Sequence, residues 1–111
     1  MPSGGNEPFV RVDVARAKEL IAEGVHIIDV REAREIAQDG KIAGSRLVPL
    51  NTFLANPTSH LEGDNILFYC KAGVRSAIAC EMAAAIGMKT LYNLEGGVDV
   101  WRKAGNHVDY A

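Results

Sequence analysis

Apolar and polar residues alternate in blocks along the chain, and these blocks predict strands and helices in turn. Short runs rich in β-branched residues predict buried strands, whereas apolar positions at helical spacing predict helices. The predicted strands lie at residues 8–12, 27–30, 46–48, 65–69 and 90–94. The predicted helices lie at residues 14–23, 32–38, 76–86 and 98–104, with one or two helical turns at 51–57 and a polar loop at 57–64.

This alternation of strands and helices is typical of a parallel sheet covered by helices on both faces. We therefore expect a three-layer α/β/α fold with a five-stranded parallel sheet. The chain has 111 residues, 48% of them hydrophobic, which is enough for one domain with a real core. The predicted domain covers residues 8–111 and follows a polar, flexible tail at residues 1–7.

The charge balance and the cysteines narrow the class of protein. Twelve basic and fourteen acidic side chains give a net charge of -2, so no electrostatic footprint for nucleic acid or an anionic membrane is visible. No segment is long and apolar enough to cross a bilayer, and a cytoplasmic location is expected. Cys70 and Cys80 form no CxxC motif and have no nearby pair of histidines, which indicates reduced thiols rather than a disulfide or a zinc site.

The candidate chemistry lies at the carboxyl ends of the predicted strands, where open parallel sheets bind ligands. Segments 29–32, 70–76 and 95–97 directly follow strands. The segment CKAGVRS joins a strand to a helix, so its backbone N–H groups and the positive end of the helix dipole can face the sulfur of Cys70. Such a thiol ionises readily, and the same donors can hold an anionic persulfide formed on it.

Several side chains near this loop have two interpretations. Arg75 either touches a bound sulfur donor or fixes the loop through Asp29 or a neighbouring carboxylate. For Asp29 and Arg31, a charge pair that holds the strand ends is favoured over contact with substrate. Lys71 either attracts an anionic donor or is a solvated surface lysine. For Cys80, packing against the sheet is favoured over a role as a resolving thiol.

Residues further from the loop have structural interpretations. His26, His60 and His107 follow no predicted strand end, which favours surface or structural roles. The EGG turn at 95–97 and Trp101 are expected to brace the reactive loop by packing.

Four segments in order, DVREAREI, GKIAGS, CKAGVRS and EGGVDVW, resemble the landmarks of rhodanese domains over almost the whole chain. The resemblance implies a catalytic cysteine at Cys70. Asp29, Arg31 and Glu95, which follow predicted strand ends, are expected near it as candidate supporting residues. It implies a substrate-binding loop made of Lys71, Ala72, Gly73, Val74, Arg75 and Ser76.

The activity implied is transfer of a sulfane sulfur through a Cys70 persulfide. The donor is thiosulfate or a persulfide, the acceptor is a thiol or cyanide, and a sulfur-relay protein is a possible partner. No metal or organic cofactor is implied, because the enzyme-bound sulfur is itself the carried group. Family members that use thiosulfate often place positive charge near positions that are Glu35 and Ala72 here, so the choice of donor stays open.

Two other functions share the scaffold. Related phosphatases and arsenate reductases hold a tetrahedral oxyanion in a loop with five residues between the cysteine and the arginine. Here four residues separate Cys70 from Arg75, which favours a single sulfur atom. A non-catalytic docking module is disfavoured because it does not need an activated thiol.

Overall fold

The structure is a computed structural model that describes residues 7–110. Its sheet contains five parallel strands in the order β1-β5-β4-β2-β3. The strands are β1 (Val10–Val12), β2 (His26–Asp29), β3 (Arg46–Leu47), β4 (Ile66–Tyr69) and β5 (Leu91–Leu94). The helices are α1 (Val14–Ala22), α2 (Ala33–Asp39), α3 (Leu50–Ala55), α4 (Val74–Ala85) and α5 (Gly97–Lys103).

Alternate residues of the central strands supply two hydrophobic clusters, one on each face of the sheet. Ile28 and Phe68 pack with α3 and α4, where the rings of Phe53 and Phe68 lie 5.5 Å apart. Ile27 and Leu67 face the opposite side and belong to a cluster with residues of α1 and α5. Side chains that alternate between two buried faces explain why these strands have continuous apolar runs. The predicted three-layer fold is confirmed.

Local sequence signals account for several element boundaries. The carboxylate of Asp13 accepts a hydrogen bond from the Arg16 N–H at 2.9 Å and so caps α1, as its position predicts. The predicted loop at 57–64 is wrong in part, because Pro57–His60 forms a 3₁₀ helix with proline in its first turn. Helix α4 starts at Val74 rather than at Ser76, since Gly73 adopts a left-handed conformation at its N-cap.

The predicted N-terminal tail at residues 1–7 lies almost wholly outside the described residues. Its last residue, Glu7, is described and pairs with Arg11 at 2.6 Å. No helix within residues 7–110 has the length and apolar character needed to span a bilayer.

Candidate active site

The sulfur of Cys70 lies directly after β4, at the N-terminus of α4. The backbone N–H of Gly73 donates to Sγ at 3.1 Å, and the N–H of Ser76 does so at 3.4 Å. The hydroxyl of Ser76 also contacts Sγ at 3.4 Å. Only 1% of Cys70 is exposed, so these groups replace water around the sulfur. The structure thus has the N–H cradle that the sequence predicts.

The balance of burial and hydrogen bonding favours the thiolate form of Cys70. Burial raises the pKa of the thiol, but the hydrogen bonds that Ser76 and the backbone N–H groups of Gly73 and Ala72 can donate to the sulfur lower the pKa by a larger amount. The net pKa of Cys70 lies below the usual value for a cysteine. A larger fraction of the sulfur is therefore nucleophilic at neutral pH.

Backbone groups at the start of α5 bind the beginning of the Cys70 loop. The N–H of Val98 donates to the Cys70 carbonyl at 2.9 Å, and the N–H of Asp99 donates to the Lys71 carbonyl at 3.1 Å. A Cβ atom on Gly97 would lie 2.4 Å from both carbonyl oxygens, and Gly97 has a φ of +63°. Only glycine permits this approach, which confirms that the EGG turn braces the loop.

A buried hydrogen-bond network of Ser76, Asn93 and Gly73 lies next to the cradle, and the sequence patterns did not predict it. Asn93 of β5 is fully buried and accepts a hydrogen bond from the Ser76 hydroxyl. Its amide NH₂ donates to the Gly73 carbonyl at 3.1 Å. The available signal was an asparagine inside the apolar run LYNL, because a buried strand residue of that type needs partners.

Each cation at the mouth of the loop has a carboxylate partner. Arg75 forms two 2.9 Å hydrogen bonds with Glu35 of α2. The Arg75 guanidinium is the main cause that lowers the pKa of Glu35 to about 2. Lys71 pairs with Asp99 at 3.0 Å and lies 3.9 Å from Asp39. Arg75 therefore fixes the loop through Glu35 rather than through Asp29, and its contact with a bound donor stays a prediction.

Asp29 and Arg31 form a buried pair at the ends of the central strands. Arg31 Nη2 donates to Asp29 at 2.7 Å and to the Gly40 carbonyl at 2.8 Å. The guanidinium carbon lies over the ring of Tyr69, 5.5 Å from its centroid, and the Tyr69 hydroxyl accepts from the Ile42 N–H at 3.0 Å. The predicted charge pair is confirmed. Its contacts fix the chain after β2 rather than the Cys70 sulfur.

Two of the expectations around the loop need correction. The carboxylate of Glu95 pairs with Arg11 at 3.0 Å, at the edge of the sheet, so its side chain does not support the Cys70 loop. Trp101 packs in the cluster shared by α1 and α5 and donates to the His107 carbonyl at 3.0 Å. It anchors the body of α5, whereas backbone groups of α5 hold the loop.

Cys80 has the packing role expected of it. Its side chain is fully buried on α4, and its thiol donates to the Tyr92 carbonyl at 3.4 Å. Burial is the main cause that raises its pKa far above the usual value. Cys80 is therefore a poor nucleophile and faces the sheet.

Comparison with known proteins agrees with this fold. A family model for the rhodanese-like domain matches residues 13–104. The mouse protein named thiosulfate sulfurtransferase/rhodanese-like domain-containing protein 3 is 33% identical over 95 residues, which cover 74% of this chain and 60% of that protein. Thiosulfate sulfurtransferase GlpE of Ectopseudomonas mendocina is 32% identical over 95 residues, which cover 85% of each protein.

Two solved structures have the same arrangement. A rhodanese-related protein from Thermoplasma volcanium has a TM-score of 0.80 at 30% identity, over 92% of this chain and 99% of that one. A Rhodopseudomonas palustris protein described as a possible tyrosine phosphatase has a TM-score of 0.78 at 32% identity, over 91% of this chain and 85% of that one. The chain belongs to the rhodanese-like domain family, and the mouse and Ectopseudomonas mendocina relatives are named as sulfurtransferases.

Proposed function

We propose that this protein is a sulfurtransferase that carries a sulfane sulfur as a persulfide on Cys70. The observation that carries the proposal is the position of Sγ, buried under N–H donors of a loop with only four residues between Cys70 and Arg75. These donors lower the free energy of an anionic sulfur, and they are available to a thiolate and to a persulfide alike.

The reaction is a double displacement at sulfur. The Cys70 thiolate attacks the sulfane sulfur of the donor, a new S–S bond forms, and the donor's S–S bond breaks. The departing group, sulfite from thiosulfate or a thiolate from a persulfide, leaves with the electron pair. A thiol or cyanide then attacks the outer sulfur, and Cys70 leaves as the thiolate stabilised by its N–H donors.

The surroundings of the loop support a persulfide as the preferred donor. Its two cations, Arg75 and Lys71, are both engaged by carboxylates, so little net positive charge is left to attract a dianion such as thiosulfate. Val74 and Ile78, one helical turn apart on α4, are 70% and 43% exposed. Such an apolar rim suits a thiol-bearing partner such as a sulfur-relay protein, in a reducing compartment such as the cytoplasm.

A phosphatase is the second candidate because one similar structure is described as a possible tyrosine phosphatase. Oxyanion binding requires an arginine free to form a bidentate contact with the substrate. Arg75 makes that kind of contact with Glu35 instead, and the loop is one residue shorter than in the phosphatases. Both features favour sulfur transfer.

Intact-mass measurement tests the proposal directly. The protein is incubated with thiosulfate or with glutathione persulfide, and we expect a gain of one sulfur atom that cyanide removes. Cys70→Ser should abolish the gain, whereas Cys80→Ser should retain it as the matched control. Hydrolysis of p-nitrophenyl phosphate that requires Cys70, with no sulfur gained from either donor, would refute the proposal.

A further inference from the structure

The Ser76 hydroxyl has two neighbours that could accept its proton, the sulfur of Cys70 and the side-chain oxygen of Asn93. The carbonyl of Gly73 can only accept, so the Asn93 group that faces it at 3.1 Å must be the NH₂. The Asn93 oxygen therefore faces Ser76, and because this oxygen can only accept, the Ser76 hydroxyl donates to it. A hydroxyl has one proton, so in this arrangement Ser76 offers only lone pairs to the sulfur of Cys70.

This orientation of the Ser76 hydroxyl suits a neutral thiol and, unlike the N–H donors of the loop, does not stabilise an anion. The thiol S–H can donate to the Ser76 oxygen, whose own proton continues to Asn93, and every donor is used. When the sulfur becomes an anion, the Ser76 lone pairs face a negative charge, unless the hydroxyl rotates and breaks its bond to Asn93. Stabilisation of the anion by Ser76 therefore costs a buried hydrogen bond.

We infer that Asn93 is a positioning residue that competes with the Cys70 sulfur for the Ser76 hydroxyl proton. It thereby limits how strongly the sulfur anion is stabilised. A less stabilised thiolate is the better nucleophile towards a donor, and a more stabilised one is the better leaving group towards an acceptor. Asn93 therefore sets the balance between loading and unloading of sulfur. The inference deepens the proposed function and rests on Cys70 as the sulfur carrier.

The charged side chains that the structure describes near the loop are paired with one another and make no hydrogen bond to Ser76 or Asn93. Arg75 of α4 is paired with Glu35 of α2, Lys71 is paired with Asp99 of α5, and Asp29 at the end of β2 is paired with Arg31. Substitutions at positions 76 and 93 change none of these side chains. A changed pH profile of Cys70 in such variants therefore reports on the hydroxyl proton.

The test is the pH dependence of Cys70 alkylation by iodoacetamide, which does not require sulfur transfer. Asn93→Leu keeps the branched shape of asparagine and frees the Ser76 proton for the sulfur. In this variant we expect the pH midpoint of Cys70 alkylation to fall by about 0.5 to 1 pH unit, the equivalent of one hydrogen bond. The double variant Ser76→Ala/Asn93→Leu should lose that fall, since no hydroxyl is left to donate. A higher midpoint in Asn93→Leu would overturn the inference and reduce Asn93 to a support for the Gly73 carbonyl.

Ser76→Ala alone provides a test that does not depend on the folding of an Asn93 variant, because alanine is favourable in a helix. We expect its midpoint to change by less than about 0.3 pH unit, since Asn93 already holds the hydroxyl proton. A rise of about one unit or more would show that the hydroxyl already donates to the sulfur and would overturn the inference. Because alkylation needs no sulfur donor, failure here is distinguishable from a failure to form the persulfide.

Discussion

Arg75 and Glu35 form a two-pronged ion pair across 40 residues of sequence, with both N–O distances at 2.9 Å. The pair joins the first turn of α4, which helps to form the sulfur cradle, to the first turn of α2. The pair therefore fixes the loop and also neutralises one of the two cations at its mouth. Two predictions follow from these two consequences.

The first prediction concerns stability in acid. Arg75 holds the pKa of Glu35 at about 2, below its value in the unfolded chain. The carboxylate therefore contributes stability that is complete above about pH 5 and is lost as the pH falls towards 2. Glu35→Gln should lower the free energy of unfolding at pH 7 by about 1–2 kcal/mol, a value reduced for partial solvent screening of Arg75.

Urea denaturation at pH 7 and at pH 3 measures this effect. The difference between wild type and Glu35→Gln should shrink at pH 3, because Glu35 is then mostly protonated in the unfolded wild-type chain, which stabilises the unfolded state. Glu81→Gln removes a similar charge from the exposed face of α4 and is the control. An equal loss of stability at both pH values would contradict the predicted role of the ion pair.

The second prediction concerns the sulfur donor. Glu35→Gln leaves Arg75 without its carboxylate partner and makes the loop mouth more positive by one charge. We expect kcat/KM for thiosulfate to rise by about 3- to 10-fold at low salt, and the gain to shrink as ionic strength increases. Activity with cysteine persulfide, which carries one net negative charge when its persulfide is ionised, should rise less. Steady-state kinetics of wild type and Glu35→Gln at two salt concentrations test this prediction. An unchanged or lower kcat/KM for thiosulfate in the variant would contradict it.

The two cysteines should differ sharply in reactivity. Cys70 has a lowered pKa, whereas burial raises that of Cys80, whose thiol is bonded to the Tyr92 carbonyl. We expect one label per native molecule after brief treatment with iodoacetamide, and two labels after unfolding in guanidinium. Peptide mapping should place the native label on Cys70. Rapid labelling of Cys80 in the native Cys70→Ser variant would disprove the packing role.

Gly97→Ala should damage both the fold and the site. The added Cβ would overlap the carbonyl oxygens of Cys70 and Lys71 at 2.4 Å, and the backbone has a positive φ. We expect a loss of about 3 kcal/mol or more, together with a raised midpoint for Cys70 alkylation, because the loop is displaced. Gly105→Ala is the matched control, since its φ is +86° but no atom lies within 4 Å of the added Cβ. It should cost only about 1–2 kcal/mol and leave the alkylation midpoint unchanged.

The sequence predicted the sheet and the cradle because both depend on local patterns. Runs such as that in β4 are apolar throughout, and the passage from Cys70 to α4 is marked by Gly73. Partners of charged side chains were harder to predict. Glu35 meets Arg75 only because the fold brings the first turns of α2 and α4 together, and Glu95 turns to Arg11 because β1 pairs with β5. Such contacts depend on tertiary geometry that no local pattern contains.

The backbone hydrogen bonds from Val98 and Asp99 to Cys70 and Lys71 also bear on how the protein is made. During synthesis, Cys70 leaves the ribosome well before residues 97–103, so its loop at first lacks the helix that supports it. Until that helix docks, the sulfur should react as an ordinary cysteine thiol. Enhanced reactivity is therefore acquired late, when α5 docks against the loop.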